Sequence, residues 1–153
     1  TGGGGGGLRG EEVRRGRVLQ GVGGGFGATT GGAGRCGWFE SVGTRYATMI
    51  NGIDELAVTN LDGLDGVDPI RVCVAYRLNG RRLDVPPCDA TQLENCEPIY
   101  QDFPGWKKAT QSAKQLSNLP SAAKCYVKAI AEMTGAPLRI VSVGPTRNQT
   151  IIL

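Results

Sequence analysis

The 153-residue sequence contains no histidine. This absence excludes Ser-His-Asp catalysis, Cys-His catalysis and imidazole metal ligation from the chemistry that the chain can perform alone. The sequence also has no apolar run near the roughly 20 residues that cross a bilayer, and no segment that resembles a signal peptide. We therefore expect a soluble, cytoplasmic protein with no membrane partner.

Cysteine is scarce and irregularly spaced. The five cysteines include no Cys-x-x-Cys pair: Cys36, Cys73, Cys88, Cys96 and Cys125. An odd number at such spacings is typical of reduced thiols and does not indicate a disulfide framework or a zinc site. The net charge is only +3, which does not indicate a nucleic-acid partner or a membrane surface.

Glycine is abundant at the N-terminal end, where residues 1–37 hold 17 of the 25 glycines. Glycine loses the most backbone entropy on folding, and the few apolar residues here could offset little of that cost. We expect residues 1–25 to be a disordered Gly/Arg-rich segment and residues 26–153 to fold. Arginines among glycines are also typical of RGG-type RNA-binding tails, although that tripeptide is absent. Because the chain starts at Thr1, we expect a fragment or processed product.

The next part of the chain predicts one helix and one strand. Apolar residues from Trp38 to Ile50 recur at three- and four-residue spacings, which predicts an amphipathic helix that stops at Asn51-Gly52. Leu56, Ala57 and Val58 form a short apolar run. Such a run is typical of a strand that is buried on both faces.

A hairpin follows. Ile70–Leu78 has the composition of a strand, and Asn79-Gly80 tolerates positive φ at both turn positions. Residues 81–85 should therefore return antiparallel to residues 74–78. Further along, Phe103-Pro104-Gly105-Trp106 predicts a turn whose aromatic rings pack on the body of the domain.

The last third returns to alternating helix and strand. Ser121 is the expected N-cap of a helix over residues 122–134, which Gly135 closes. A strand is predicted at Leu138–Val143, and residues 151–153 could add another. The predicted fold class is therefore α/β, one sheet with an antiparallel hairpin attached.

Asp62 is the main candidate for ligand recognition. It lies in a polar, glycine-rich loop that follows the predicted strand at Leu56, and ligands of α/β sheets bind at the carboxyl ends of strands. A carboxylate can accept two parallel hydrogen bonds, as the N–H groups of guanine require. The alternative is an ordinary loop, because Asp and Gly are common turn residues.

Three separated sets of motifs stand in a recognisable order. They are Phe26-Gly27-Ala28-Thr29-Thr30-Gly31 with Arg35-Cys36-Gly37-Trp38-Phe39; Thr59-Asn60-Leu61-Asp62-Gly63-Leu64-Asp65-Gly66 with Val72-Cys73-Val74-Ala75-Tyr76-Arg77; and Glu97-Pro98-Ile99-Tyr100 and Pro104-Gly105-Trp106 with Val141-Ser142-Val143-Gly144-Pro145. Together they resemble the C-terminal third of the adenylosuccinate synthetases, over about residues 16–153. The resemblance implies the C-terminal part of a P-loop-NTPase-like sheet.

This resemblance implies an enzyme that joins IMP to L-aspartate with hydrolysis of GTP, needs Mg²⁺ and forms a homodimer. The family's catalytic residues and magnesium ligands lie outside the part that this chain resembles. The implied aspartate loop is Ala28, Thr29, Thr30, Gly31, Gly32, Ala33 and Gly34, in which Gly32 is also the IMP position. The implied GTP-binding residues are Gly34, Asn60, Leu61, Asp62, Ser142, Val143 and Gly144.

Three positions depart from the family pattern. Gly32 and Gly34 stand where the family has arginines that reach substrate carboxylate and GTP, and Asn60 stands where it has lysine. A guanidinium contributes charge and paired hydrogen bonds that glycine cannot replace. The alternative to a ligase fragment is thus a non-catalytic, degenerate relative, a binding module with a Gly/Arg-rich tail.

Overall fold

A computed structural model describes residues 37–153. Its strands are β1 (Phe39–Glu40), β2 (Leu56–Val58), β3 (Ile70–Leu78), β4 (Arg81–Leu83), β5 (Glu97–Phe103), β6 (Leu138–Ser142) and β7 (Thr150–Ile152). Its α-helices are α1 (Ser41–Asn51), α2 (Ala90–Glu94) and α3 (Ser121–Thr134), and short 3-10 helices occur at Leu61–Leu64, Leu116–Asn118 and Arg147–Gln149. The segment predicted to be disordered, residues 1–25, and the aspartate loop, residues 28–34, lie outside the described residues.

The strand β3 is the centre of a four-stranded sheet. β1 pairs in parallel with Val72 and Cys73, and β4 pairs antiparallel with Tyr76, Arg77 and Leu78. β5 runs antiparallel to β3 along nearly its whole length. Because a strand has only two edges, β1 and β4 share one edge of β3 and β5 occupies the other.

The hairpin at the end of β3 is confirmed. Asn79 and Gly80 have φ values of 51° and 77°, and Leu78 pairs with Arg81 across the turn. The returning strand stops at Leu83, two residues earlier than predicted. No strand was predicted where β5 lies, because Pro98 and several polar residues hide the strand pattern there; proline is nevertheless tolerated at the edge of a sheet.

A separate three-stranded sheet has the order β2-β6-β7. β2 and β6 are parallel, whereas β6 and β7 are antiparallel. The expectation of one sheet was therefore wrong, although the added strand at the C-terminal end is confirmed. The prediction that β2 is buried on both faces was also wrong: among the described residues β2 lies at a sheet edge, and Ala57 is exposed.

The helix predicted from Trp38 begins later, at Ser41. The carboxylate of Glu40 accepts hydrogen bonds from the backbone N–H groups of Val42 and Gly43, which satisfies two donors of the first turn and sets the start of α1. The predicted end is confirmed, since Gly52 is a left-handed cap with φ 59°. The apolar face does not pack as expected, because in the described part of the chain Met49 is 69% exposed.

The helix α3 packs over the main core and is anchored by aromatic contacts. Tyr126 is buried and meets the rings of Phe103 and Trp106 at centroid distances of 5.9 and 6.0 Å, which confirms the predicted packing of the 103–106 turn. Gly135 closes α3 in the left-handed region, as predicted. Ser121 is not the N-cap; Pro120 occupies that position, and its carbonyl accepts from the N–H of Lys124.

The main core draws on both sheets and α3. Its fully buried members are Leu61, Ile70, Val72, Ala123, Val127, Ile130, Val141, Val143 and Ile151. Helices cover mixed sheets, so the α/β class is confirmed. Within residues 37–153, no helix is long and apolar enough to span a membrane.

Burial of Tyr126 predicts a loss of stability at alkaline pH. Burial raises the pKa of Tyr126 from 10.0 to about 12, so the folded state holds this proton more tightly than the unfolded state. The stabilisation is complete below pH 10 and is lost as the pH rises from 10 toward 12. Between pH 8 and pH 11 this group should remove about 1 to 1.5 kcal/mol from the free energy of unfolding.

Urea denaturation of the wild type and of Tyr126→Phe at both pH values measures this effect. The substitution should reduce the pH-dependent loss, whereas Tyr46→Phe, at an exposed tyrosine of α1, should leave it unchanged. An identical loss in wild type and Tyr126→Phe would contradict the prediction.

Candidate functional site

Two loops meet at one edge of the three-stranded sheet. The β2 loop, residues 59–66, follows β2, and the β6 loop, residues 143–149, follows β6. Because β2 and β6 are parallel, with Val58 opposite Val141, both loops leave the sheet on the same side. The backbone N–H of Asn60 donates to Ser142 Oγ at 3.0 Å. The structure thus brings together two candidate residues that are far apart in the sequence.

The β2 loop is shaped by an uncommon backbone conformation and an apolar anchor. Asn60 lies in the left-handed region with φ 56°, after which Leu61–Leu64 forms one turn of 3-10 helix. The side chain of Leu61 is 1% exposed and belongs to the main core. Leu61 is therefore buried as a whole residue and anchors the loop, whereas Asp62 is partly exposed.

The carboxylate of Asp62 has a partner that the sequence did not indicate. Gln111 Nε2 donates to Asp62 Oδ2 at 3.2 Å. Gln111 lies 49 residues away in the chain, in a segment with no regular periodicity. A pairing over that distance leaves no local pattern, so only the fold reveals it.

Asp65, the second aspartate of the β2 loop, has a different task. Its carboxylate accepts from Trp106 Nε1 at 2.6 Å, from the backbone N–H of Thr110 at 2.8 Å and from Thr110 Oγ1 at 3.0 Å. The backbone N–H of Gly66 also donates to the Trp106 carbonyl at 2.9 Å. Trp106 and Thr110 are buried. Asp65 therefore holds the β2 loop against the segment of residues 104–115, which we call the bridging segment.

The β6 loop is closed by its own last residue. The N–H of Val143 donates to the Gln149 carbonyl at 2.8 Å, and the side-chain oxygen of Gln149 accepts from the N–H and hydroxyl of Thr146. The Gln149 side chain also lies against Gly144, where a Cβ would stand 2.3 Å from Gln149 Oε1. Gly144 therefore leaves room for the side chain that closes the loop.

The bridging segment connects the two loops. Gln149 Nε2 lies 3.4 Å from the carbonyl oxygen of Gln111, to which it donates, and Lys114 Nζ donates to the carbonyl of Asn148 at 2.8 Å. The same segment binds the β2 loop through Asp62 and Asp65. The bridging segment thus ties together the two loops that hold, or directly follow, all six described candidate residues: Asn60, Leu61, Asp62, Ser142, Val143 and Gly144.

The arrangement can bind a planar group that carries hydrogen-bond donors. Asp62 supplies a partly exposed carboxylate, and the partly exposed Ser142 lies at the end of the neighbouring strand. Within residues 37–153, no group of three or more acidic, cysteine or histidine side chains converges to hold a metal ion.

Comparison with known proteins gives a consistent result. The sequence profile of the adenylosuccinate synthetase family matches residues 1–151. An adenylosuccinate synthetase of Synechococcus elongatus is 52% identical over 128 residues, which cover 84% of this chain and 29% of that protein. An adenylosuccinate synthetase of Frankia casuarinae is 44% identical over 144 residues, which cover 94% of this chain and 32% of that protein. The solved structure of fully ligated adenylosuccinate synthetase from Plasmodium falciparum superposes with a TM-score of 0.86 and 32% identity, over 92% of this chain and 34% of that chain.

The Asp65 contacts predict a large stability cost for an isosteric change. In Asp65→Asn, one acceptor becomes an NH₂ group that must face the fixed N–H of Trp106 or of Thr110. The free energy of unfolding should fall by about 2 to 3 kcal/mol, the cost of leaving a buried donor unpaired. Chemical denaturation measures it, with Asp54→Asn, at an exposed aspartate, as the matched control. Equal stability of the two variants would show that the Asp65 contacts add nothing.

Proposed function

The chain belongs to the adenylosuccinate synthetase family, and from that premise we propose that its β2 and β6 loops recognise the guanine base of GTP. The chain spans about a third or less of the length of the curated relatives it matches. We propose that it is the guanine- and aspartate-recognising part of a ligase that forms adenylosuccinate from IMP and L-aspartate in purine biosynthesis.

One observation carries the guanine proposal: the parallel pairing of β2 with β6, which brings the loop that contains Asp62 to the strand end at Ser142, where Asn60 N–H donates to Ser142 Oγ. Guanine offers two adjacent N–H donors next to a carbonyl oxygen. A carboxylate suits the two donors, because its oxygens can accept them side by side. The backbone of residues 142–144, at the neighbouring strand end, would face the guanine oxygen.

The proposed reaction also explains why the base must be held in place. The 6-oxygen of IMP is a poor leaving group until it carries a phosphoryl group from GTP, after which the amine of aspartate can displace phosphate. Phosphoryl transfer depends mainly on positioning and electrostatic stabilisation. Residues of this chain would contribute by fixing one end of GTP. Proton transfer and binding of Mg²⁺ are proposed to belong to the part of the family that this chain does not span.

The aspartate loop, Ala28–Gly34, stays a prediction, since it precedes the described residues. We propose that Gly32 and Gly34 weaken this loop relative to a loop with arginines, because glycine offers no cation to carboxylate or phosphate. These two residues favour the second candidate function, a non-catalytic relative that binds nucleotide without ligation. A P-loop-NTPase-like sheet, a homodimer and a cytoplasmic location are likewise proposed from the family.

Asp62→Asn should change base preference. The test protein is a chimera in which residues 37–153 follow the amino-terminal portion of the Synechococcus elongatus relative. Loss of a charged hydrogen-bond partner costs about 2 to 5 kcal/mol, so GTP should bind roughly thirtyfold more weakly or worse, while IMP affinity changes little. Asparagine presents an NH₂ group that matches a carbonyl of xanthine, so the variant should prefer XTP.

Isothermal titration with GTP, XTP and IMP measures these affinities. Asp102→Asn changes an exposed aspartate on β5, in the other sheet, and serves as the matched control. Unchanged GTP affinity in Asp62→Asn, with no gain for XTP, would show that Asp62 is only a turn residue and would overturn the proposal.

The 153-residue chain alone should not form adenylosuccinate. It contains no histidine, and its described residues include no group of three or more candidate metal ligands. Chromatographic analysis of a reaction with IMP, GTP, aspartate and Mg²⁺ should detect no product above the protein-free background, with the chimera as positive control. Turnover by the chain that Asp62→Ala abolishes would refute the assignment of catalysis to other parts of the family.

A further inference from the structure

The side chain of Gln111 joins the Asp62 carboxylate to the bridging segment. We infer that Gln111 is a positioning residue for guanine selection: its amide orients the Asp62 carboxylate, and its carbonyl joins that carboxylate to the β6 loop. This inference rests on the proposed recognition of GTP. It assigns a role to a residue that lies outside both loops and that no motif singled out.

The geometry leaves Asp62 available for a ligand while limiting its rotation. Gln111 Nε2 donates to Oδ2 at 3.2 Å, which uses one of the roughly four acceptor positions of a carboxylate. Both oxygens keep room for further donors. A guanine edge needs the two oxygens in its own plane, and a partly exposed carboxylate held by no partner would lose rotational freedom on binding. Gln111 restricts that freedom before the base arrives.

The backbone of Gln111 is itself held on both sides. The preceding residue, Thr110, is buried and donates twice to Asp65, through its N–H and its hydroxyl. The carbonyl of Gln111 accepts from Gln149 Nε2 at 3.4 Å, and the Gln149 side chain lies against Gly144. Asp62 and Gly144, on separate strand ends, are therefore connected through Gln111 and Gln149. This connection should hold the β2 loop and the β6 loop at a fixed distance from each other, as the binding of a flat base requires.

The proposed role of Gln111 predicts different effects on the binding of two purine nucleotides, GTP and ITP. Guanine donates through N1–H and its 2-amino group, so it uses both oxygens of Asp62, whereas the hypoxanthine of ITP lacks the amino group and needs only one. Orientation of the carboxylate therefore matters more for GTP than for ITP. A loss of Gln111 should lower the preference for GTP over ITP, which a general destabilisation of the loop would not do.

The experiment measures GTP and ITP affinities of the chimera by titration, with saturating IMP so that ITP reports on the GTP site. Gln111→Leu keeps the size of the side chain and its backbone contacts but removes the donor. GTP binding should weaken roughly three- to tenfold, the effect of one hydrogen bond to an exposed charged group, and ITP binding by less than half of that factor.

Gln111→Glu places a second negative charge beside Asp62 and should weaken GTP binding further. Gln101→Leu, at an exposed glutamine of β5, is the matched control and should change neither affinity.

Equal losses for GTP and ITP would show a merely structural role and overturn the inference. Unchanged affinity would overturn it too, and so would tighter GTP binding, which would mean that Gln111 competes with the base for Asp62. Asp62→Asn in the same chimera distinguishes the two proposals. If it weakens GTP while Gln111→Leu has no effect, the inference fails alone; if Asp62→Asn has no effect either, the proposed function fails with it.

Discussion

Parallel pairing of β2 with β6 is the constraint on which the candidate site depends. It places residues that are 82 positions apart, Asn60 and Ser142, within hydrogen-bonding distance. Neither loop carries enough apolar surface to fold by itself; each is anchored by one buried neighbour, Leu61 in the first and Val143 in the second. Strand pairing sets the distance between the two loops, and the buried side chains of Leu61 and Val143 fix each loop against the core.

The two carboxylates of the β2 loop differ in their contacts. Asp65 accepts from Trp106 Nε1 and from the N–H and hydroxyl of Thr110, so it is a structural group. Asp62 accepts from Gln111 alone among the described contacts and keeps accepting capacity at the loop surface. Asp62 lies within the 3-10 turn, whereas Asp65 follows it with a ψ of 126°, outside the helical conformation, and the two carboxylates have different partners. The Asp65 contacts hold the β2 loop in place, and a fixed loop limits the positions that the Asp62 carboxylate can take.

Local signals were enough to predict some of this fold. Asn79-Gly80 requires positive φ at both positions, and Gly135 closes α3, because the conformation at each site is set by the residues themselves. The candidate loops were found through strand ends and motif order. Other features depend on distant partners: Trp106 and Thr110 give Asp65 its task, and Gln111 reaches Asp62 across 49 residues. The start of α1 was misplaced because the pattern of apolar spacing does not report that Glu40 caps the first turn.

The helix α1 has a further consequence for how the chain behaves in concentrated solution. Tyr46, Met49 and Ile50, which are 42%, 69% and 59% exposed, follow the spacing of a single helical face. Contiguous apolar surface of this kind promotes reversible self-association. Salting-out anions such as sulfate strengthen such contacts by being excluded from the protein surface. Sulfate should therefore strengthen contacts that copies of the chain make through this exposed face of α1.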